Sequence, residues 1–222
     1  HPDLGEIPPA EFIPVAERIG VIGEIGNAVL RQACAFAVNW PSDIRVAANL
    51  SPQQLQAGTI VDFVYRALRE SGLQGSRLEL EITESTFINN TAPVLSQLAD
   101  LKDLGVSIAL DDFGTGYSNL AYIARMPIAG IKIDRMFTQA LDQQAIGAVI
   151  VSKVCELAAA LEVTLICEGV ETRGQADHLV AIYPDICIQG FLIGRPMPAR
   201  QFSRAFPANH HAWMPSPSES AG

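Results

Sequence analysis

Asn49, Glu81, Asp111, Asp112, Lys132, Glu168 and Gln189 each stand where a short apolar run gives way to a turn: after IRVAA, in RLELEIT, after VSIAL, in IAGIKID, after VTLIC and after ICI. Four of these residues are carboxylic acids, two are amides and one is an amine. Carboxylates gathered at one place repel strongly unless something positive lies between them. An oxygen-rich donor set without His or Cys suits Mg²⁺ or Mn²⁺ rather than Zn²⁺. If one carboxylate bridged two such ions about 3.5 to 4 Å apart, they could activate a water and steady the leaving oxygen of a phosphodiester. Lys132 could then orient that water or offset developing negative charge.

These residues share a site only if their runs are strands of one sheet. Between the runs lie helical patterns: TIVDFVYRALRESG with Ile60, Phe63, Val64, Ala67 and Leu68 on one face and Gly72 ending it, then PVLSQLADLKDLG, a short piece near NLAYIARM, residues 144–161, GQADHLVAI and ARQFSRAF. A longer helical pattern over residues 11–40, interrupted near Gly20 to Gly26, precedes the first strand. Strands separated by helices imply right-handed parallel crossovers. Such folds place their chemistry at the carboxyl ends of the strands. The count is six β/α units, between a closed eight-stranded barrel of about 250 residues and an open doubly wound sheet. A functional group at every strand end favours the barrel, whose site all strands encircle.

Composition sets the outer bounds. With 222 residues and 49% apolar content, one core can bury roughly 70% of the unfolded surface. A net charge of −9 and few clustered Lys or Arg argue against a nucleic-acid polymer or an acidic membrane face as partner. The longest apolar stretches, such as AIGAVIV, fall short of a membrane span and no signal peptide pattern precedes them, so a cytoplasmic location is expected. Cys34, Cys155, Cys167 and Cys187 lie in apolar helices and strands without metal-ligand spacing and are expected to be buried, reduced thiols. The tail PSPSESAG after Trp213 has the composition of a disordered end.

Taken singly, each residue has a plainer reading. An Asp pair before Phe-Gly-Thr-Gly is also turn and cap chemistry. An acid in an alternating strand is usually outward-facing, and a lysine can snorkel. Thr83-Glu84-Ser85-Thr86 could cap the helix that follows, and Asn49-Leu50-Ser51-Pro52 could be an ordinary strand-to-helix turn. Their coincidence at equivalent strand ends favours the functional reading.

The segments PAEFIPVAERIGVI, NLSPQQL, LELEITES, IALDDFGTGYSNL, IKIDRMF, CEGVET and IQGFLIGRPMP, in this order, resemble the EAL-domain phosphodiesterases that hydrolyse cyclic di-GMP. The resemblance implies a modified TIM barrel that uses two Mg²⁺ or Mn²⁺ ions to give linear pGpG, with Ca²⁺ inhibitory. Position by position, Asn49 and Glu81 resemble ligands of one ion, Asp111 the bridging carboxylate, and Asp112 and Glu168 ligands of the second. Lys132 and Gln189 resemble the residues that hold the water network, and Glu171 a nearby supporting group. Glu84 resembles the acid that steadies the loop after Asp112, and residues 113–119, including Phe113, Gly114, Thr115 and Gly116, resemble the loop that shapes the site and contributes to dimer contacts.

On this resemblance residues 1–206 form the EAL domain and 207–222 a tail. The family's Glu-Ala-Leu motif and two opening barrel strands should lie before His1, so the chain is expected to be a piece of a longer polypeptide, with six of eight strands and weak activity alone. The implied partners are cyclic di-GMP, a second copy of the chain, and an adjacent sensor or GGDEF-type domain. The competing function is a catalytically silent cyclic di-GMP receptor, which usually lacks several of the metal ligands retained here.

Overall fold

The computed structural model describes residues 1–3, 5–87, 91–115, 123–141 and 145–205. Within them the strands are β1 (Val46–Asn49), β2 (Leu78–Thr83), β3 (Ser107–Phe113), β4 (Gly130–Ile133), β5 (Thr164–Cys167) and β6 (Cys187–Ile188). The helices are α1 (Pro9–Arg18), α2 (Ile22–Ala37), α3 (Pro52–Gln56), α4 (Ile60–Ser71), α5 (Thr91–Asp103), α6 (Arg135–Ala140), α7 (Ala145–Leu161), α8 (Arg173–Ile182) and α9 (Ala199–Ala205).

All six strands join one parallel sheet in the order β1-β2-β3-β4-β5-β6. A doubly wound sheet reverses direction at a switch point, whereas a barrel adds each strand beside the last. The unreversed order therefore selects the barrel over the open sheet. The result is a curled half-barrel of six strands.

Side chains alternate across a strand, and the two faces of this sheet differ accordingly. Leu78, Leu80, Ile82, Ile108, Leu110, Ile131, Ile133, Leu165 and Cys167 are almost wholly buried in the core shared with the helices. The residues that alternate with these and with the buried Ala48, namely Ala47, Asn49, Glu79, Glu81, Ser107, Ala109, Lys132 and Thr164, form the small and polar inner face. Register places Asn49 beside Glu81, Glu81 beside Ala109, and Thr83 beside Asp111.

Two expectations need correction. Gly23 and Gly26 lie inside α2 rather than in a break, which spans only residues 19–21. Gly26 is where the buried Gln54 side chain packs so closely that a Cβ would stand 2.4 Å from its amide nitrogen. All four cysteines are free, but Cys187 is exposed, because it occupies an inner-face position of β6 opposite Ile166. The piece near NLAYIARM is described only from residue 123, and Gly116 and the tail beyond residue 205 lie outside the described residues.

Candidate metal centre

Lys132 is the hub of the strand-end residues. Its side chain is 3% exposed and its Nζ lies 2.7 Å from Glu81 Oε1, 2.5 Å from Glu168 Oε1 and 3.5 Å from Asp111 Oδ1. The lysine does not snorkel: β4 is a central strand with β3 and β5 on either side, so its inner-face side chain meets theirs. Burial alone would pull the ammonium pKa down, but hydrogen bonds to Glu168 and Glu81 hold it above the ordinary lysine range. Burial pushes the Glu81 carboxyl up, more than Lys132 offsets, and Asp111 and Glu168 add to the rise.

Consecutive strand residues should face opposite ways, so Asp111 and Asp112 reach one site only through a break in the pleat. The break is present. The β3–β4 register shifts between Leu110 and Phe113, and Asp112 takes φ 54°, a left-handed conformation that Asp tolerates better than most residues. Asp111, Asp112 and Glu168 then each offer a carboxylate oxygen, and these lie within 4.8 Å of one another. The Asp112 backbone N–H donates to Asp111 Oδ1 at 3.0 Å, fixing that carboxylate. Burial, then Asp111, Asp134 and Glu168, raise the Asp112 pKa.

The loop beyond is tied to the same acids. Gly114 N–H donates to Glu84 Oε1 at 2.9 Å, and Thr115 Oγ1 donates to the Asp112 carbonyl at 2.9 Å. Glu84 opens a 3-10 turn over Glu84–Phe87 rather than capping an α-helix. Gly114 has φ 96°, and a Cβ there would meet the Phe137 ring at 2.8 Å. Phe113 ends β3 with its side chain in the core.

Asn49 and Gln189 are exposed on the edge strand β1 and just beyond β6, at opposite sides of the site. The backbone of Gln189 carries the parallel β5–β6 ladder past the strand ends, accepting from Val170 N–H at 3.0 Å and donating to the Cys167 carbonyl at 2.8 Å. Glu171 is exposed, and its backbone N–H is held by Gln175 Oε1 at 2.9 Å.

Sequence reading missed three supporting residues. Gln175 clips the Glu168–Thr172 turn as the capping-box partner of Thr172; the T-x-x-Q spacing was the available signal. Asp134 caps α6 through Met136 N–H at 2.8 Å and lies close enough to raise Asp112. Phe137 backs Gly114.

Three carboxylates, Glu81, Asp111 and Glu168, thus converge on one ammonium, and a fourth, Asp112, stands beside Asp111 and Glu168. The raised carboxyls of Glu81 and Asp112 show that Lys132 does not compensate them fully. Their oxygens fit hard divalent cations of the Mg²⁺ or Mn²⁺ class.

Comparison with known proteins agrees with this geometry. Residues 1–196 match the model of the EAL domain family. Over 205 residues, 90% of this chain, it is 42% identical to the bifunctional diguanylate cyclase/cyclic di-GMP phosphodiesterase MucR of Pseudomonas aeruginosa. Over 213 residues, 93% of the chain, it is 36% identical to the cyclic di-GMP phosphodiesterase NbdA of the same organism. The chain spans only 30% of MucR and 27% of NbdA.

The solved PaMucR phosphodiesterase in complex with c-di-GMP superposes with a TM-score of 0.85 at 41% identity, covering 91% of this chain and 83% of that one. The manganese/cy-diGMP complex of Klebsiella pneumoniae BlrP1 gives 0.67 at 29% identity, over 78% of this chain and 45% of that one. With the family model covering most of its length and its sheet superposing on that of a solved member, the chain belongs to the EAL domain family.

Proposed function

We propose that this chain is the hydrolytic domain of a protein that linearises cyclic di-GMP to pGpG with two Mg²⁺ or Mn²⁺ ions. The observation that carries the reading is the convergence of Glu81, Asp111 and Glu168 on Lys132, with Asp112 beside Asp111 and Glu168, at the carboxyl rim of the half-barrel. The names of MucR and NbdA support the substrate, and the BlrP1 manganese complex supports the class of ion.

Asn49 and Glu81 would hold one ion, Asp112 and Glu168 the other, and Asp111 both. Bound there, the pair supplies Lewis-acid activation of water and neutralises charge on the phosphodiester. Lys132, already paired with three of the acids, keeps them assembled and presents a positive group to the negative charge that grows on the phosphoryl oxygens. Glu84, through Gly114, fixes the backbone just past Asp112. Gln189 closes the far side and Glu171 stands on the turn after Glu168. Residues 1–206 act as this unit, in a cytoplasmic homodimer whose longer polypeptide also carries a sensor or GGDEF-type domain.

Incubation of the parent polypeptide with cyclic di-GMP and Mg²⁺ should yield pGpG on ion-exchange chromatography, with Ca²⁺ suppressing it. Tight cyclic di-GMP binding in calorimetry with no pGpG under any divalent ion would replace the hydrolase by a silent receptor.

A further inference from the structure

The segment that follows Asn49 is fastened to a helix far from it in sequence. Just past Asn49, Leu50 N–H donates to the Glu81 carbonyl at 2.8 Å, continuing the β1–β2 ladder. Ser51 then caps α3, accepting from Gln53 N–H at 3.3 Å, while its own N–H is held by Gln54 Oε1 at 3.2 Å. The hydroxyl proton of Ser51 goes elsewhere, to Glu17 Oε1 of α1 at 2.9 Å. A second bond ties the same residue: Gln53 Nε2 donates to the Glu17 carbonyl at 3.2 Å.

Asn49 lies at the exposed end of an edge strand, with β2 as its one bonded neighbour among the described residues. Pairing with β2 fixes where its backbone lies; the direction of its side chain also depends on how the chain leaves the strand at residues 50–51. Besides the local bonds to Glu81, Gln53 and Gln54, that exit is held by one long-range side chain-to-side chain bond, from Ser51 to the Glu17 carboxylate, a stronger type than a neutral pair.

We infer that Glu17 is a positioning residue for metal binding, acting through Ser51 to hold Asn49 in its ligating orientation. The inference rests on the reading of Asn49 as a ligand given above. Glu17 touches neither ion nor substrate; α1 serves as a strut between the barrel's outer layer and the rim. Supporting groups of this kind typically contribute about 10- to 100-fold in metal affinity.

The test is calorimetric titration of the parent protein with Mn²⁺ alone, without cyclic di-GMP. Glu17→Ala should weaken Mn²⁺ binding about 10-fold while the far-UV circular dichroism stays native. Glu17→Gln, which keeps an oxygen acceptor for Ser51 at the same reach, should recover most of that loss. In an Asn49→Ala background, Glu17→Ala should add nothing further. Ser51→Ala removes the same bond from the donor side and carries the test if Glu17→Ala fails to fold. Unchanged Mn²⁺ affinity in both Glu17→Ala and Ser51→Ala, or full additivity with Asn49→Ala, overturns the link. If Asn49→Ala itself leaves Mn²⁺ affinity unchanged, Asn49 is not a ligand and the inference falls with it, whatever the Glu17 variants do.

Discussion

At the scale of the residue, Asp111 and Gln189 should not cost the same. Asp111 lies 3.5 Å from Lys132 Nζ, within 4.8 Å of the Asp112 and Glu168 oxygens, and accepts from Asp112 N–H, so Asp111→Asn disturbs all of these neighbours. Its kcat/KM should fall well over 100-fold, against about 10-fold for Gln189→Ala, whose side chain stands exposed at the edge of the site. Equal losses in steady-state kinetics would remove the shared-ligand role. The crowding of charge also sets a pH dependence. Glu81 and Asp112 have raised pKa values in the folded chain, so each binds its proton more tightly folded than unfolded. Their contribution to stability is full below the ordinary carboxylate range and is lost as pH rises through the raised values. Divalent cations need these groups ionised. Saturating Mn²⁺ should therefore raise Tm more at pH 7.5 than at pH 5, with about 2.7 kcal/mol expected at 100 times Kd. Differential scanning fluorimetry showing an equal rise at both pH values would contradict this.

Elements explain why some of the site was legible in sequence and some was not. The strand ends were readable because Leu78, Leu80 and Ile82, like Ile131 and Ile133, alternate with the residues that do chemistry. The pleat alone then puts Glu81 and Lys132 on one face. Asp112 was not readable in the same way, since it joins the site through a left-handed residue and a register shift that periodicity does not encode. The Glu17–Ser51 bond spans 34 positions, beyond any local pattern. A second left-handed residue, Glu162 at φ 56°, ends α7, where Val163 N–H reaches the Ala158 carbonyl at 3.0 Å. Glycine suits that position better, and a non-glycine residue there costs about 1 kcal/mol. Glu162→Gly, exposed and at the end of β5 opposite to Glu168, should stabilise the chain by up to about 1 kcal/mol in urea denaturation; destabilisation would show that the Glu162 side chain contributes more than its backbone costs.

For the whole molecule, the unreversed strand order gathers the rim groups of β2 to β5 on Lys132, leaving Asn49 and Gln189 at its two flanks. Among the described residues, β1 and β6 each have one bonded neighbour, and their outer backbone edges are templates for further pairing. The isolated 222-residue chain should therefore associate, with a mass by light scattering above its 23.9 kDa. A monodisperse monomer at micromolar concentration would show that the edges are protected. No described helix is long and apolar enough to cross a membrane.

The left-handed backbone at Asp112 bears on how such a domain ages under mutation. Glycine at this position would ease both the torsional cost and the crowding of like charges, and asparagine the crowding alone, each deleting one of the acids. On the proposed function, loss of turnover here would be downhill for the fold. Random drift at this one codon would leave a sturdier protein with a blunted centre, a short path from a degrading enzyme to a mere reader of its former substrate.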